Sequence, residues 1–213
     1  MNPPRLLRTL IAGKFRHPTG LLGRLAGKAM ASGNRKAVEW TVARLEIAER
    51  DSVLEVGFGP GVGIECAARR ATGGRVCGVD RSPTMVDVAR RRNVAAVLAG
   101  RVDLREADAM QLPYASLSFD KVFSVHCIYF WSDPVRTLEE LRRVLAPGGR
   151  IAITVLPKTP WLETKTKPPE HLFTLYEASE IVELLEDAGF RDVRLEHDAR
   201  PERLRCECIT GVR

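Results

Sequence analysis

From residue 52 onwards, short apolar runs rich in β-branched residues alternate with segments of helical periodicity. The runs are bounded by turn residues and apolar on both faces, which is typical of buried parallel strands. They lie at Ser52–Val56, Arg75–Val79, Val102–Arg105, Lys121–Val125 and Arg150–Val155. The intervening periodicity predicts helices at Val62–Arg70, Pro83–Arg92 and Val135–Leu145. This alternation predicts an α/β fold with a parallel sheet.

The C-terminal part of the chain departs from this alternation. A predicted helix at Glu177–Ala188 is followed by two strand-like runs, Asp192–His197 and Leu204–Thr210, which are close enough to pair as an antiparallel hairpin. We therefore expect a single domain whose sheet is mostly parallel and ends in this hairpin. The segment Pro157–Leu172 contains four prolines and is predicted to be an irregular loop that covers a substrate.

The N-terminal part is helical in pattern and basic in charge. Residues 20–31 predict a short amphipathic helix, and Asn34 is placed to cap a second helix over Arg35–Glu49. Residues 1–50 carry ten Lys and Arg against three Asp and Glu, whereas the remaining residues are nearly neutral. We expect an N-terminal cap or arm over residues 1–50 and the main domain over residues 51–213. A basic arm suits an acidic substrate, a membrane surface or nucleic acid, and it is equally a solvated helical face.

Composition narrows the class of protein further. The five cysteines are odd in number and scattered, which favours reduced thiols in a cytoplasmic protein. Cys206 and Cys208 are two residues apart and so are expected on one side of a strand. No His or Cys spacing suits zinc, so we expect no metal site. The longest uncharged runs have 11 residues, and a membrane span needs about 18, so no span is expected.

The strand at Ser52–Val56 runs directly into a glycine-rich turn. Gly57, Gly59 and Gly61 alternate there, which permits a tight turn and a close approach of the backbone to a ligand. The dinucleotide fingerprint fails in both registers, because Val62 and Ile64 stand where its third glycine is required. The sequence motif of the phosphate-binding loop in nucleotide hydrolases does not match this stretch either.

An acidic residue, Glu55, followed by three alternating glycines resembles the first motif of the class I S-adenosylmethionine-dependent methyltransferases. Further stretches of the chain resemble that family in the same order. They are Gly78-Val79-Asp80, Arg81-Ser82-Pro83 with Met85, Ala107-Asp108-Ala109, Phe119–Ser124 and Leu145–Ile151. The resemblance covers about residues 37–213 and implies a Rossmann-like, doubly wound, seven-stranded sheet.

The resemblance implies S-adenosyl-L-methionine as the cofactor. The carboxylate of Glu55 would suit an ammonium and a sulfonium group, Asp80 would bind the ribose hydroxyls, and Asp108 would meet the adenine amino group. The full set of residues expected at the cofactor is Glu55, Gly57, Phe58, Gly59, Gly61, Asp80, Arg81, Met85, Asp108, Ala109, Met110 and Ser124.

The catalytic candidates are His126 and Tyr129, which both follow the fourth predicted strand. His126 follows the strand end, and its usual pKa suits proton transfer near neutral pH. It acts as a general base only if the acceptor must lose a proton, and the alternative is a histidine packed beside the cofactor. Tyr129 and Trp131 could form an aromatic wall for an apolar acceptor, or they belong to the core. His171, in the proline-rich loop, is a weaker candidate.

The acceptor itself is not readable from the residues. A small molecule such as a secondary metabolite, a quinone or a lipid-like compound is the first expectation. An RNA or protein methyltransferase is the second, because of the basic arm. A cofactor-binding subunit without catalysis is the third, and the intact glycine turn and strand-end acids argue against it.

Overall fold

The strands and helices follow the predicted alternation closely. The computed structural model describes residues 20–158, 174–199 and 206–213. The strands are β1 Ser52–Val56, β2 Arg75–Asp80, β3 Val102–Glu106, β4 Phe119–Val125, β5 Leu145–Val155, β6 Arg191–His197 and β7 Glu207–Val212. The helices are α1 Gly20–Arg44, α2 Val62–Ala68, α3 Pro83–Arg92, α4 Val94–Leu98, α5 Pro134–Val144 and α6 Ala178–Asp187, with a 3₁₀ turn at Ile128–Phe130.

The seven described strands form one sheet in the order β3-β2-β1-β4-β5-β7-β6. Strands β1 to β5 are parallel, and β7 is antiparallel to both β5 and β6. This confirms the predicted Rossmann-like sheet and its antiparallel C-terminal pair, with β7 lying between β5 and β6. The strand order reverses between β1 and β4, which is where ligands bind in open α/β sheets.

Helices cover both faces of the sheet. Adjacent residues of β1, Val53 and Leu54, are fully buried and belong to the two separate cores on opposite faces. Helices α1, α2 and α3 cover the face of Val53, and α5 and α6 cover the face of Leu54. Cys206 and Cys208 are both buried in the first of these cores, as their spacing predicted.

Helix α1 corrects the predicted break at residue 34. It runs without interruption from Gly20 to Arg44, so Asn34 lies inside the helix and does not cap a new one. The burial of Val38 and Val42 against the first core stabilises the continuous helix, which outweighs the weak local preference at Asn34. The helix ends before the predicted Glu49, because Glu46 adopts a left-handed conformation with φ of 50°.

Two strands begin earlier than predicted, and one helix was not predicted. Phe119 pairs with Leu145, so β4 and β5 each extend back beyond the predicted starts at Lys121 and Arg150. This pairing places the predicted turn at Pro147, Gly148 and Gly149 within the irregular first half of β5. The short helix α4 follows α3 directly and buries none of its side chains.

Some expectations lie outside the described residues. They concern residues 1–19 of the arm, residues 159–172 of the proline-rich loop with His171, and the predicted strand start at Leu204. The division of the chain at residue 50 stays a prediction. None of the helices in the described ranges has both the length and the apolar composition needed to cross a bilayer.

Candidate active site

A cleft opens at the carboxyl ends of β1 to β4 and is flanked by α1. Its empty volume is about 1080 Å³, with open solvent at the mouth included. The predicted cofactor residues that line it are Glu55, Gly57, Phe58, Gly59, Asp80, Arg81, Met85, Asp108, Ala109 and Met110. The fold therefore brings residues from four strand ends into one concave site, as the strand order at the switch point requires.

The glycine turn needs glycine for two physical reasons. Gly57, Gly59 and Gly61 all have positive φ, at 73°, 50° and 79°, a region that residues with a side chain rarely adopt. Space is also short, because a Cβ atom on Gly57 would lie 2.1 Å from the Cys127 Sγ atom. Gly61 does not line the cleft, and its Cα faces α3, where a Cβ would lie 2.7 Å from the Ala89 Cβ atom.

Asp80, at the end of β2, fastens the glycine turn to the start of α3. The Gly59 N–H donates to Asp80 Oδ2 and the Ser82 N–H donates to Asp80 Oδ1, with N···O distances of 2.8 and 2.9 Å. Burial raises the pKa of this carboxyl above its usual value, although the two N–H donors oppose the shift. Each oxygen keeps a second lone pair, so Asp80 can also accept hydroxyl donors from a ligand.

Glu55, in β1, is a buried acid with an unsatisfied oxygen. Its side chain packs so closely on Gly63 that a Cβ there would lie 2.2 Å from Glu55 Oε1. Oε2 is buried and has no hydrogen-bond partner among the described residues. Burial first, and then the charge of Asp80, raises the pKa of Glu55 well above its usual value. A cation bound in the cleft would offset this cost of burying the carboxylate.

Asp108, after β3, lies at the other end of the cleft. Its Oδ1 accepts from the Met110 N–H at 3.0 Å, and its Oδ2 lies 3.7 Å from the Nε atom of Arg81. Arg81 itself is exposed. This carboxyl is thus oriented by its own turn and by an ion pair, and it stays at the wall of the cleft.

His126 lies in the cleft wall immediately after β4. Its backbone has φ of 54°, in the left-handed region, and its N–H donates to the Thr154 carbonyl. Backbone strain of this kind persists where the surrounding structure enforces it. The Nε2 atom is 3.9 Å from the Cys206 Sγ atom, and Nδ1 is buried with no hydrogen-bond partner among the described residues. Burial lowers the pKa of His126 to about 4, so its imidazole is neutral at pH 7.

Two predicted site residues, Tyr129 and Ser124, lie outside the described cleft wall, and a third, Phe58, lines it only in part. The Tyr129 hydroxyl accepts the Leu156 N–H, and its side chain is buried in the core outside the cleft. Ser124 is fully buried beside the Cys127 thiol and does not line the cleft. Phe58 lines the cleft, but its ring also packs against Gly78 of β2 and fills the space that a Cβ on Gly78 would need.

The structure also adds residues that the sequence did not assign to the site. Asn34 and Val38 of α1 line the cleft, as does Gly63 beside Glu55. Helical spacing places Asn34 and Val38 on one face of a helix, but only a continuous α1 reveals that spacing. Trp131, considered for an aromatic wall, does line the cleft, and its buried Nε1 has no hydrogen-bond partner among the described residues.

A seven-stranded sheet of this order, with a glycine turn after β1 and acids in β1, at the end of β2 and after β3, defines the class I methyltransferase fold. The sequence model of the family described as methyltransferase domain matches residues 54–153. An uncharacterized methyltransferase, YdaC of Bacillus subtilis (strain 168), is 31% identical over 84% of this chain and 93% of its own length. The chain belongs to this methyltransferase family.

Two further similarities extend the comparison. The ubiquinone/menaquinone biosynthesis C-methyltransferase UbiE of Geotalea daltonii is 33% identical over 54% of this chain. The match covers 49% of that relative, so the chain spans about half of its length. The crystal structure of a SAM-dependent methyltransferase from Aquifex aeolicus has the same fold, with a TM-score of 0.71 and 24% identity. It covers 88% of this chain and 96% of the Aquifex chain.

The cofactor is S-adenosyl-L-methionine, and the chemistry of the cleft fits it. The unsatisfied Glu55 oxygen offers negative charge where a cationic ligand would bind, and Asp80 offers free lone pairs for ribose hydroxyls. Asp108 and Met110 line the cleft after β3 and would be the residues to hold the adenine ring. When bound, the cofactor supplies an activated methyl group. No group of three His, Cys, Asp or Glu side chains within the described ranges is placed to hold a metal ion.

Proposed function

We propose that this methyltransferase transfers a methyl group to a small, apolar acceptor of the hydroquinone or phenol type. The observation that carries the proposal is the wall of the cleft beside His126. Val38, Phe130 and Trp131 line the cleft together with His126. Apolar and aromatic side chains with one polar group among them are typical of small-molecule pockets.

The role proposed for His126 is to accept the proton that such an acceptor loses. A hydroxyl or an acidic carbon must give up its proton as its new bond to the methyl carbon forms. Neutral His126 lines the described wall together with Phe130 and Trp131, and its Nδ1 has no hydrogen-bond partner among the described residues. The Cys127 thiol lines the same wall, but burial raises its pKa to about 12, so it is a poorer candidate near neutral pH. The pKa of His126 near 4 makes it a weak base, so we expect proximity and orientation to supply most of the rate.

Two observations support a small acceptor over RNA. The relative UbiE is a C-methyltransferase of quinone biosynthesis by name. Two of the basic side chains of α1 are already paired: Arg35 Nη2 is 3.2 Å from Glu65 Oε2, and Arg44 Nε is 3.2 Å from Glu196 Oε2. Paired arginines attract phosphate less strongly than free ones.

The proposal is tested with methyl-labelled cofactor and a panel of acceptors. Short-chain demethylated naphthohydroquinones, simple phenols, bulk RNA and an unstructured peptide mixture are each incubated with the enzyme. We expect label in the hydroquinones or phenols. Label in RNA or peptide alone, falling steeply with salt for RNA, would contradict the proposal and favour the basic arm as a substrate-binding element.

The proton-accepting role is tested with His126→Asn. Asparagine tolerates a left-handed backbone but cannot take up the proton. We expect kcat to fall about 100-fold or more, with the Kd of S-adenosylmethionine within about twofold. The parent's kcat should be flat from pH 5 to 8 and decline only as pH approaches 4, where His126 becomes protonated.

Tyr129→Phe is the matched control, because the hydroxyl of Tyr129 accepts a backbone N–H and lies outside the cleft. We expect kcat close to the parent and lower stability. A large loss of kcat in Tyr129→Phe with His126→Asn nearly unaffected would exchange the roles of the two residues.

A further inference from the structure

Two side chains at the end of α3 hold the outer half of the glycine turn. The Arg92 Nε–H donates to the Pro60 carbonyl at 2.8 Å, and Asn93 Nδ2 donates to the Gly61 carbonyl at 3.1 Å. Both contacts join residues 32 positions apart in the chain. They are therefore features of the tertiary structure and not of a local motif.

The two donors differ in how firmly they are held. Asn93 is buried, and its Nδ2 also donates to the Ala89 carbonyl at 2.9 Å, so its amide is fixed by α3 itself. Arg92 is about one quarter exposed and lies 3.6 Å from the Glu65 carboxylate on α2. That same carboxylate lies 3.2 Å from Arg35 on α1. Arg92 is thus oriented by an ion pair, whereas Asn93 is oriented by its own helix.

Fixing these two carbonyls fixes the turn. The C=O and N–H groups of a trans peptide point in opposite directions, so a carbonyl drawn towards α3 turns the next N–H the other way. The Pro60 carbonyl bonded to Arg92 thereby directs the Gly61 N–H, which donates to the Phe58 carbonyl at 2.9 Å. On the opposite side of the turn, Asp80 holds the Gly59 N–H.

We propose that Arg92 and Asn93 are positioning residues of the cofactor site, which preorganise the glycine turn by holding the Pro60 and Gly61 carbonyls. Three alternating glycines give the backbone of this turn more conformational freedom than residues with side chains would. Without the two donors, the Gly61 carbonyl keeps only the Glu65 N–H at 3.2 Å. The turn would then sample conformations that do not bind the cofactor, and affinity would fall by the fraction of competent molecules lost.

The test measures the Kd of S-adenosylmethionine by calorimetry, which requires no acceptor and is independent of the proposed acceptor chemistry. Asn93→Asp keeps the shape of the side chain and replaces the donor with an acceptor that faces the Gly61 carbonyl. Arg92→Gln removes the guanidinium. We expect the Kd to rise about tenfold in Arg92→Gln and more in Asn93→Asp, at a temperature where circular dichroism shows each variant fully folded. Tenfold corresponds to about 1.4 kcal/mol.

Two matched controls separate positioning from charge and from the ion-pair network. Arg91→Gln removes an exposed neighbouring arginine of α3. Arg35→Gln removes the ion pair between Arg35 of α1 and Glu65, and it leaves the hydrogen bond from Arg92 to the Pro60 carbonyl intact. We expect the Kd to change less than twofold in both, and Arg92→Lys to recover part of the affinity that Arg92→Gln loses.

Several results would overturn the proposal. One is a Kd within twofold of the parent in Arg92→Gln and Asn93→Asp, with only the melting temperature lowered, because the two residues would then serve stability alone. Another is an equal rise of the Kd in Arg91→Gln or Arg35→Gln. The cause would then be the charge of α3 or the ion-pair network, and not the hold on the turn.

Discussion

At the scale of single residues, Gly57 has both a positive φ and no room for a Cβ, whereas Gly100 has the positive φ alone. Gly57 and Gly100 have nearly the same φ, 73° and 71°, but a Cβ on Gly100 would meet nothing within 4 Å. A Cβ on Gly57 would collide with the Cys127 Sγ atom, which lies in the wall of the cleft. The pair therefore distinguishes backbone strain from steric exclusion.

We predict that Gly57→Ala loses more stability than Gly100→Ala and that only Gly57→Ala abolishes cofactor binding. Each substitution places a side chain at positive φ, which costs about 1–2 kcal/mol. The collision at residue 57 adds about 1–3 kcal/mol. Urea unfolding and calorimetry with S-adenosylmethionine measure the two effects. Equal losses of stability in the two variants would show that the space at Cys127 opens without cost.

The buried carboxyl of Glu55 predicts that cofactor binding is linked to protons. Burial and the neighbouring charge of Asp80 raise its pKa in the free enzyme. A bound cation favours the ionised form and lowers that pKa. Glu55 therefore releases a proton on binding when the pH lies between the free and bound pKa values, and affinity rises with pH across that window.

Calorimetry in two buffers of different ionisation enthalpy measures this proton release. We expect a fractional proton released per cofactor in the parent enzyme and none in Glu55→Gln, which keeps the size of the side chain. Glu55→Gln should also bind less tightly at high pH. An unchanged proton release in Glu55→Gln would assign the linkage to another acid, such as Asp80.

At the scale of elements, α1 is part of the fold through a buried polar contact. The Thr41 hydroxyl donates to the Ala37 carbonyl at 2.8 Å and lies 2.6 Å from the Thr154 hydroxyl in β5. Both threonines are fully buried. This contact holds α1 against β5. It lies two helical turns from Asn34 and one turn from Val38, and both of those residues line the cleft.

We predict that Thr41→Val lowers the free energy of unfolding by about 1 kcal/mol, because the contact is lost and the Thr154 hydroxyl remains buried. The double variant Thr41→Val/Thr154→Val should recover part of this loss, since neither buried hydroxyl then remains. Chemical denaturation measures the cycle. Strictly additive losses would mean that the two hydroxyls do not interact in solution.

At the scale of the whole molecule, His126 and Glu55 make the stability of the free enzyme depend on pH in opposite directions. His126 has a folded pKa of about 4, below its usual 6.5, so the unfolded chain binds more protons between these values and stability falls as pH drops through this range. Glu55 has a folded pKa raised above 4.5, so its contribution is lost as pH rises through that raised value. Above pH 4.5 the two contributions therefore oppose each other.

We predict that protonation of His126 lowers the melting temperature of the free enzyme as pH falls from 6.5 towards 4, and that His126→Asn removes this contribution. Glu55→Gln should make the melting temperature rise more steeply with pH above pH 4.5, because it removes the opposing contribution of Glu55. Thermal unfolding followed by circular dichroism across pH measures both. An acidic slope unchanged in His126→Asn would place its origin in other groups.

The sequence by itself determined the class of fold, the strands whose ends form the cleft, and the position of its principal acids. It could do so because these signals are local: apolar runs predict buried strands, and acids and glycines that follow parallel strands must meet at one edge of the sheet. Glu55, Asp80 and Asp108 lie in the cleft for this reason.

Only the tertiary structure decided which side chains complete the site. Packing against the core keeps α1 continuous and directs Asn34 into the cleft, against the local preference for a cap. The Leu156 backbone binds the hydroxyl of Tyr129, and Arg92 reaches the Pro60 carbonyl across 32 residues. Such contacts depend on how elements pack at a distance, which neither periodicity nor spacing along the chain records.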